Sequence, residues 1–130
     1  MAKKKVFISF DYDHDLELKK SFVSQARHRD SQFSINDSSL IEPEPDVQWV
    51  AKAKRAIRDC DVFLVILGPN THSAPGVRRE VDIAMGLNKD RFQLVPQRKN
   101  YGEVGGAGPV VKWKWRNLEK WLSTDVSRVR

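Results

Sequence analysis

The run from Asp61 to Leu67, DVFLVIL, constrains the chain more than any other segment. A continuous apolar stretch rich in β-branched residues has no polar side to give to water. It therefore fits a strand buried on both faces, the environment of a central parallel strand covered by helices. Gly68-Pro69-Asn70 ends it abruptly. A strand of this kind needs neighbours on both edges and helices on both sides, and the rest of the sequence supplies them.

Lys5 to Phe10 (KVFISF) is a second short apolar run, closed by Asp11. From Asp15 to Arg29, Leu18, Phe22 and Ala26 recur every fourth residue beside Lys19, Lys20 and Arg27, the pattern of an amphipathic helix with Asp15 available as its cap. Gln32 to Ile35 reads as a brief strand, and Asn36 to Pro45 as a polar loop. Val47, Val50, Ala51 and Ile57 keep helical spacing up to Asp59, with Asp46 as cap. After a loop from Thr71 to Gly76, Val77, Val81, Ala84 and Met85 mark a third helix that places Glu80 in its first turn. Phe92 to Pro96 is the next strand, Tyr101 to Pro109 with four glycines a mobile or irregular loop, Val110-Val111 a last short strand, and Trp115, Leu118 and Leu122 a closing helix. Strands alternating with helices in this way build a mainly parallel sheet with right-handed crossovers, in one domain spanning residues 1–130. Such sheets bind ligands beyond the carboxyl ends of their strands where strand order reverses, which selects the turns after Phe10 and after Leu67.

Several function classes fall away on composition and motif. The net charge of +6 is compatible with a phosphate-bearing ligand without requiring one, because its lysines and arginines are scattered. A single cysteine, Cys60, excludes an internal disulfide and agrees with a reducing compartment. No apolar run approaches the roughly 18 residues of a membrane span, so the expectation is a cytoplasmic protein with no membrane partner. His14, His28 and His72 have no metal-ligand spacing with one another or with Cys60, so no metal is expected. There is no GxGxxG, no phosphate-binding lysine-serine motif and no nucleophile elbow. A phosphoacceptor receiver of similar topology would need an aspartate closing the central strand and a lysine closing a later one, where this chain has Gly68 and Gln97.

Two segments remain as carriers of chemistry. The first turn holds Ser9, Phe10, Asp11, Tyr12, Asp13, His14 and Asp15. Either Asp13 or Asp15 simply caps the helix, or Phe10 or Tyr12 offers a face to a planar ring while Asp11 or Asp13 accepts hydroxyl hydrogen bonds. The second runs from Gly68 to Glu80. There Glu80 is either a first-turn acid favoured by the helix dipole, or, bordering the Val77 stripe, a carboxylate turned toward the sheet edge.

KVFISFDYDHD at 5–15, DCDVFLVILGPNTHSAPGVRREVDIAMG at 59–86 and VVKWKWRNLEKWL at 110–122 together resemble the TIR-like family of bacterial Thoeris antiphage systems. The resemblance implies a flavodoxin-like three-layer α/β fold. It further implies an NAD-consuming enzyme, an NAD hydrolase that cleaves the nicotinamide–ribose bond and in some members cyclises the product into an ADP-ribose-type signal for an effector. On that basis Glu80 is the expected catalytic residue. Phe10, Asp11 and Tyr12 from the first turn, with Ser38, Ser73 and Arg78, are the expected substrate-binding residues. NAD is then a substrate, with no cofactor, and self-assembly through TIR-like contacts joins the effector among the expected partners. The chain departs from the family at Pro75-Gly76, where a bulky residue commonly precedes the segment leading to the glutamate. The alternative is a non-catalytic TIR-like module for protein interaction or nucleotide binding, with the loop at 36–45 as its contact. Nucleic-acid binding by Trp113, Trp115 and Trp121 interleaved with Lys112, Lys114, Arg116 and Lys120 is a weaker alternative, since tryptophans at helical spacing ordinarily pack.

Overall fold

The computed structural model describes residues 4–11, 14–26, 33–35, 47–96 and 98–122. Among these residues five strands, β1 (Lys4–Ser9), β2 (Phe33–Ile35), β3 (Val62–Ile66), β4 (Asp90–Val95) and β5 (Val110–Lys112), form one sheet in the order β2-β1-β3-β4-β5. Every neighbouring pair is parallel. Among the described residues four α-helices accompany them: α1 (Leu16–Ala26), α2 (Val47–Asp59), α3 (Pro75–Gly86) and α4 (Trp115–Leu122). This is the flavodoxin-like strand order, and the chain reverses its direction of travel across the sheet between β1 and β3.

The β3 segment is buried throughout, as its apolar run demands. Alternation along the strands sorts the core into two layers. Val6, Ile8 and Phe10 of β1 and the residue after it, with Val62, Leu64 and Ile66 of β3, face Phe22 of α1 and Leu118 and Leu122 of α4. Phe7 of β1, with Phe63 and Val65 of β3, faces Ala56 and Ile57 of α2 and Val77, Val81 and Ala84 of α3. Trp113 meets the edge of the Phe22 ring at 6.0 Å, and Trp121 lies 5.2 Å from Phe92. Trp113 before α4 and Trp121 within it thus pack against the first layer. No described helix is long and apolar enough to cross a membrane.

Two sequence expectations change. Helix α3 begins at Pro75, whose fixed φ and missing N–H suit the first helical position, so Glu80 sits in the second turn and no acid occupies the first. A favourable helix dipole therefore does not account for Glu80. The segment from Tyr101 to Pro109 is irregular, as expected, but it is anchored rather than mobile. It fills the place of a crossover helix between β4 and β5, with Val104 and Ala107 buried in the second core layer. Gln93, wholly buried in β4, holds it: its Nε2 donates to the carbonyls of Val104 at 3.0 Å and Gly108 at 2.8 Å, and its Oε1 accepts from the Val104 N–H at 2.6 Å. Gly108 has φ +90 and no room for a Cβ against the Arg91 carbonyl, so only glycine lets the segment lie this close to β4.

Candidate active site

The crevice beyond the carboxyl ends of β1 and β3 is built by the two segments singled out above. Ser9 ends β1 opposite Val65 and, two residues on from Phe7, points to the α2–α3 side of the sheet. On that side Glu80 shares the buried face of α3 with Val77, Val81 and Ala84. The two side chains meet: the Ser9 hydroxyl donates to Glu80 Oε1 at 2.6 Å, with Ser9 completely buried and Glu80 only 8% exposed. Burial pushes the Glu80 carboxyl up to about 8, against the opposing effect of the Ser9 hydrogen bond. At neutral pH the group is mainly a neutral acid. A positive charge beside it would turn it into a carboxylate.

A second buried acid, Asp15, ties the connection after β1 to the connection after β3. Asp15 precedes α1, and its carbonyl accepts the first helical bond from Lys19 N–H at 3.1 Å. The expected capping position is thus the one it occupies. Its carboxylate reaches across to the β3–α3 connection, where Thr71 Oγ1 donates to Asp15 Oδ2 at 2.9 Å while accepting from the Gly68 N–H at 2.7 Å. A Cβ on Gly68 would collide with the Asp15 carboxylate, so the glycine that ends β3 is there to admit an acid. Burial raises the Asp15 pKa, the Thr71 hydrogen bond lowers it, and the charge of Asp11 raises it further.

Asp11 follows β1 with its side chain almost buried, and its carbonyl accepts from the N–H groups of both His14 and Asp15. That tight turn folds His14 back, so that His14 Nδ1 lies 2.7 Å from Asp11 Oδ2, with the imidazole 56% exposed. Phe10 does not face Glu80. It belongs to the core layer under α1 and α4, with the Lys19 ammonium 5.7 Å above its ring. Ser73 is exposed in the 3-10 turn Thr71–Ser73, its hydroxyl donating to the Asn70 carbonyl, and Arg78 is exposed in the first turn of α3. Tyr12 and Ser38, like the loop at 36–45 and Gln97, lie outside the described residues. Cys60 is buried, with its thiol donating to the Ile57 carbonyl and burial pushing its pKa up to about 11, which leaves it inert. Among the described residues no cluster of His, Cys, Asp and Glu is arranged to hold a metal.

The family described as "Thoeris protein ThsB, TIR-like domain" matches residues 7–100, which run from within β1 to just past β4 and include Ser9, Asp15, Thr71 and Glu80. The chain belongs to this family. Among solved structures, the Clostridium botulinum CMP N-glycosidase BcmB has the same fold: the TM-score is 0.57 at 18% sequence identity, over 92% of this TIR-like chain and 94% of that one. No curated protein matches in sequence. Sequence reasoning places Glu80 at the centre of the site and includes Ser9 and Thr71 in its two segments without giving either a role. Their partners lie 71 and 56 residues away, and no local pattern announces a hydroxyl that will face a distant acid.

Proposed function

We propose that this TIR-like protein cleaves the N-glycosidic bond of a nucleotide, with NAD as the substrate and nicotinamide as the leaving group. The observation that carries the proposal is the Ser9–Glu80 pair: a buried carboxyl, hydrogen-bonded and held largely neutral, at the strand-end crevice where this fold takes its ligands. The family membership supports it, and so does the shared fold with an enzyme that cuts the glycosidic bond of CMP. Breaking the nicotinamide–ribose bond leaves an oxocarbenium-like ribose. A carboxylate in a site of low dielectric stabilises that charge far more than it would in water. The nicotinamidium of bound NAD and the developing ribose cation both favour the ionised form of Glu80. The acid that burial keeps neutral thus becomes charged when the reacting group arrives. Antiphage signalling through a linear or cyclic ADP-ribose product, made for an effector, is the corresponding biological role.

The test is incubation of the purified protein with NAD, alone and with candidate activators, and identification of the products by mass. Release of nicotinamide that disappears in Glu80→Gln, with the variant still folded by circular dichroism, supports the assignment. Undiminished release by Glu80→Gln would remove Glu80 from the chemistry.

A further inference from the structure

The two carboxyl oxygens of Glu80 are differently placed. Oε1 accepts the Ser9 hydroxyl at 2.6 Å, whereas Oε2 has no hydrogen-bond partner among the described residues, although Glu80 is only 8% exposed. No lysine, arginine or histidine among them pairs with this carboxyl. The elements packed against α3 supply no counter-charge. β1 presents Phe7 and Ser9 on this side, with Lys4 and Lys5 at its other end and Asp11, just beyond it, engaged with His14. β3 and β4 contribute Phe63, Val65 and Val95 to the same layer, all apolar. α2 presents Ala56 and Ile57, while its Lys52, Lys54, Arg55, Arg58 and Asp59 are exposed. His72 of the 3-10 turn is exposed beside Gly102, and Arg78, Arg79 and Asp82 lie on the exposed face of α3. None of these charges acts on the Glu80 carboxyl, whose raised pKa has burial and the Ser9 hydrogen bond as its causes.

An ionised carboxylate in this setting lacks the partner that would offset its desolvation, so the fold by itself favours the neutral acid. The two charge states recognise different ligands. A cation within about 4–6 Å favours the carboxylate, and by linkage the carboxylate favours the cation by the same factor. A neutral ring of the same shape gains nothing from ionisation. The nicotinamide ring of NAD is a cationic pyridinium, and in NADH it is a neutral dihydropyridine of nearly the same size.

We infer that Glu80 makes this a charge-selective, proton-coupled site, which takes a cationic pyridinium nucleotide in exchange for one proton and discriminates against the neutral dihydropyridine; this rests on the glycosidase function proposed above. In balanced form, the carboxylic acid of Glu80 and the pyridinium ligand give a carboxylate–pyridinium pair and a proton, which passes to solvent. No bond of the ligand breaks in this step. Binding, and not only the chemistry that follows, therefore depends on pH.

Carba-NAD, in which a methylene replaces the ring oxygen of the nicotinamide ribose, keeps the pyridinium charge and cannot form the oxocarbenium, so its binding can be measured without turnover. Titration calorimetry in buffers of low and high ionisation enthalpy reads the protons released per ligand bound. With the folded value of Glu80 near 8, about 0.9 proton is expected at pH 7 and about 0.1 at pH 9, and the affinity should rise about tenfold from pH 6 to pH 7 and level off above pH 8. NADH is expected to release none, binding either not at all or with an affinity that does not rise with pH. Glu80→Gln, folded by circular dichroism, is expected to release none with carba-NAD and to bind it more weakly and independently of pH. Carba-NAD binding without proton release would overturn the assignment, as would equal release with NADH or by Glu80→Gln, or no binding of carba-NAD with activators present. Nicotinamide release from NAD by the same preparation tests the glycosidase reading separately. Cleavage alongside binding that releases no proton leaves that reading standing; proton-coupled binding without cleavage overturns the reading and leaves the charge selectivity.

Discussion

Two buried acids lie at the carboxyl end of the sheet, and each accepts a hydrogen bond from a hydroxyl: Glu80 from Ser9 at 2.6 Å and Asp15 from Thr71 at 2.9 Å. Burial raises the pKa of both. Their settings differ. Asp15 is locked into architecture: it starts a helix, and its Thr71 partner also satisfies the Gly68 N–H while glycine makes room for the carboxylate. Everything around it explains why an acid is there. Glu80 lies mid-helix on a face otherwise made of Val77, Val81 and Ala84, where an apolar side chain would pack at lower cost. A buried acid that the fold does not need is the one whose presence chemistry must explain.

Substitutions can break this contrast. Glu80→Gln has the largest expected effect: nicotinamide release falls about 10²- to 10³-fold, with the urea midpoint at pH 8 unchanged or raised, as kinetic assay and urea denaturation will show. Thr71→Val acts in the opposite sense. It strands the Gly68 N–H and removes the donor from Asp15, so unfolding in urea should reveal a loss of about 2–4 kcal/mol. A loss below 0.5 kcal/mol would deny Asp15 its architectural role.

The pH dependence sharpens the contrast further. Glu80 has an ordinary value of 4.5 and a folded value near 8, so between those limits the unfolded chain gives up a proton that the folded one keeps. The associated stability is full below pH 4.5, declines as the pH rises toward 8, and is lost above it. Denaturation curves across this window should show the decline in the unsubstituted protein and a smaller one in Glu80→Gln. If Glu80 works as a carboxylate, kcat/KM must rise with pH over the same range, with its midpoint near 8 in the free enzyme. Ser9→Ala is the mildest change. Losing a donor that favours the ionised form moves that rising limb to higher pH with little effect on the plateau, and a pH–rate profile decides it.

The strands of this sheet were legible because burial on both faces writes itself as uninterrupted apolar sequence, as in VFLVI of β3. The crevice was legible because strand order alone places it between β1 and β3. The start of α3 was not: Pro75-Gly76 has the composition of a turn, while its proline occupies the helix position where a missing N–H costs nothing. The opposed directions of Phe10 and Glu80 follow from strand alternation once Ser9 is known to face α3, yet no spacing in the sequence says which face α3 will cover. Polar contacts across tens of residues, such as Ser9 with Glu80, leave no periodic trace at all.

Gln93 joins two parallel strands without a helix, and it does so by matching amide to backbone at three points rather than by burying more hydrocarbon. Apolar contacts tolerate sliding, but a buried amide does not, because a shift of one residue along β4 would leave its donors facing nothing. The glutamine therefore works as a key cut for one alignment. It specifies which residue of the glycine-rich segment follows β4 into the core, and through that the register in which Val110 to Lys112 arrive beside Gln93 to Val95 to complete the sheet.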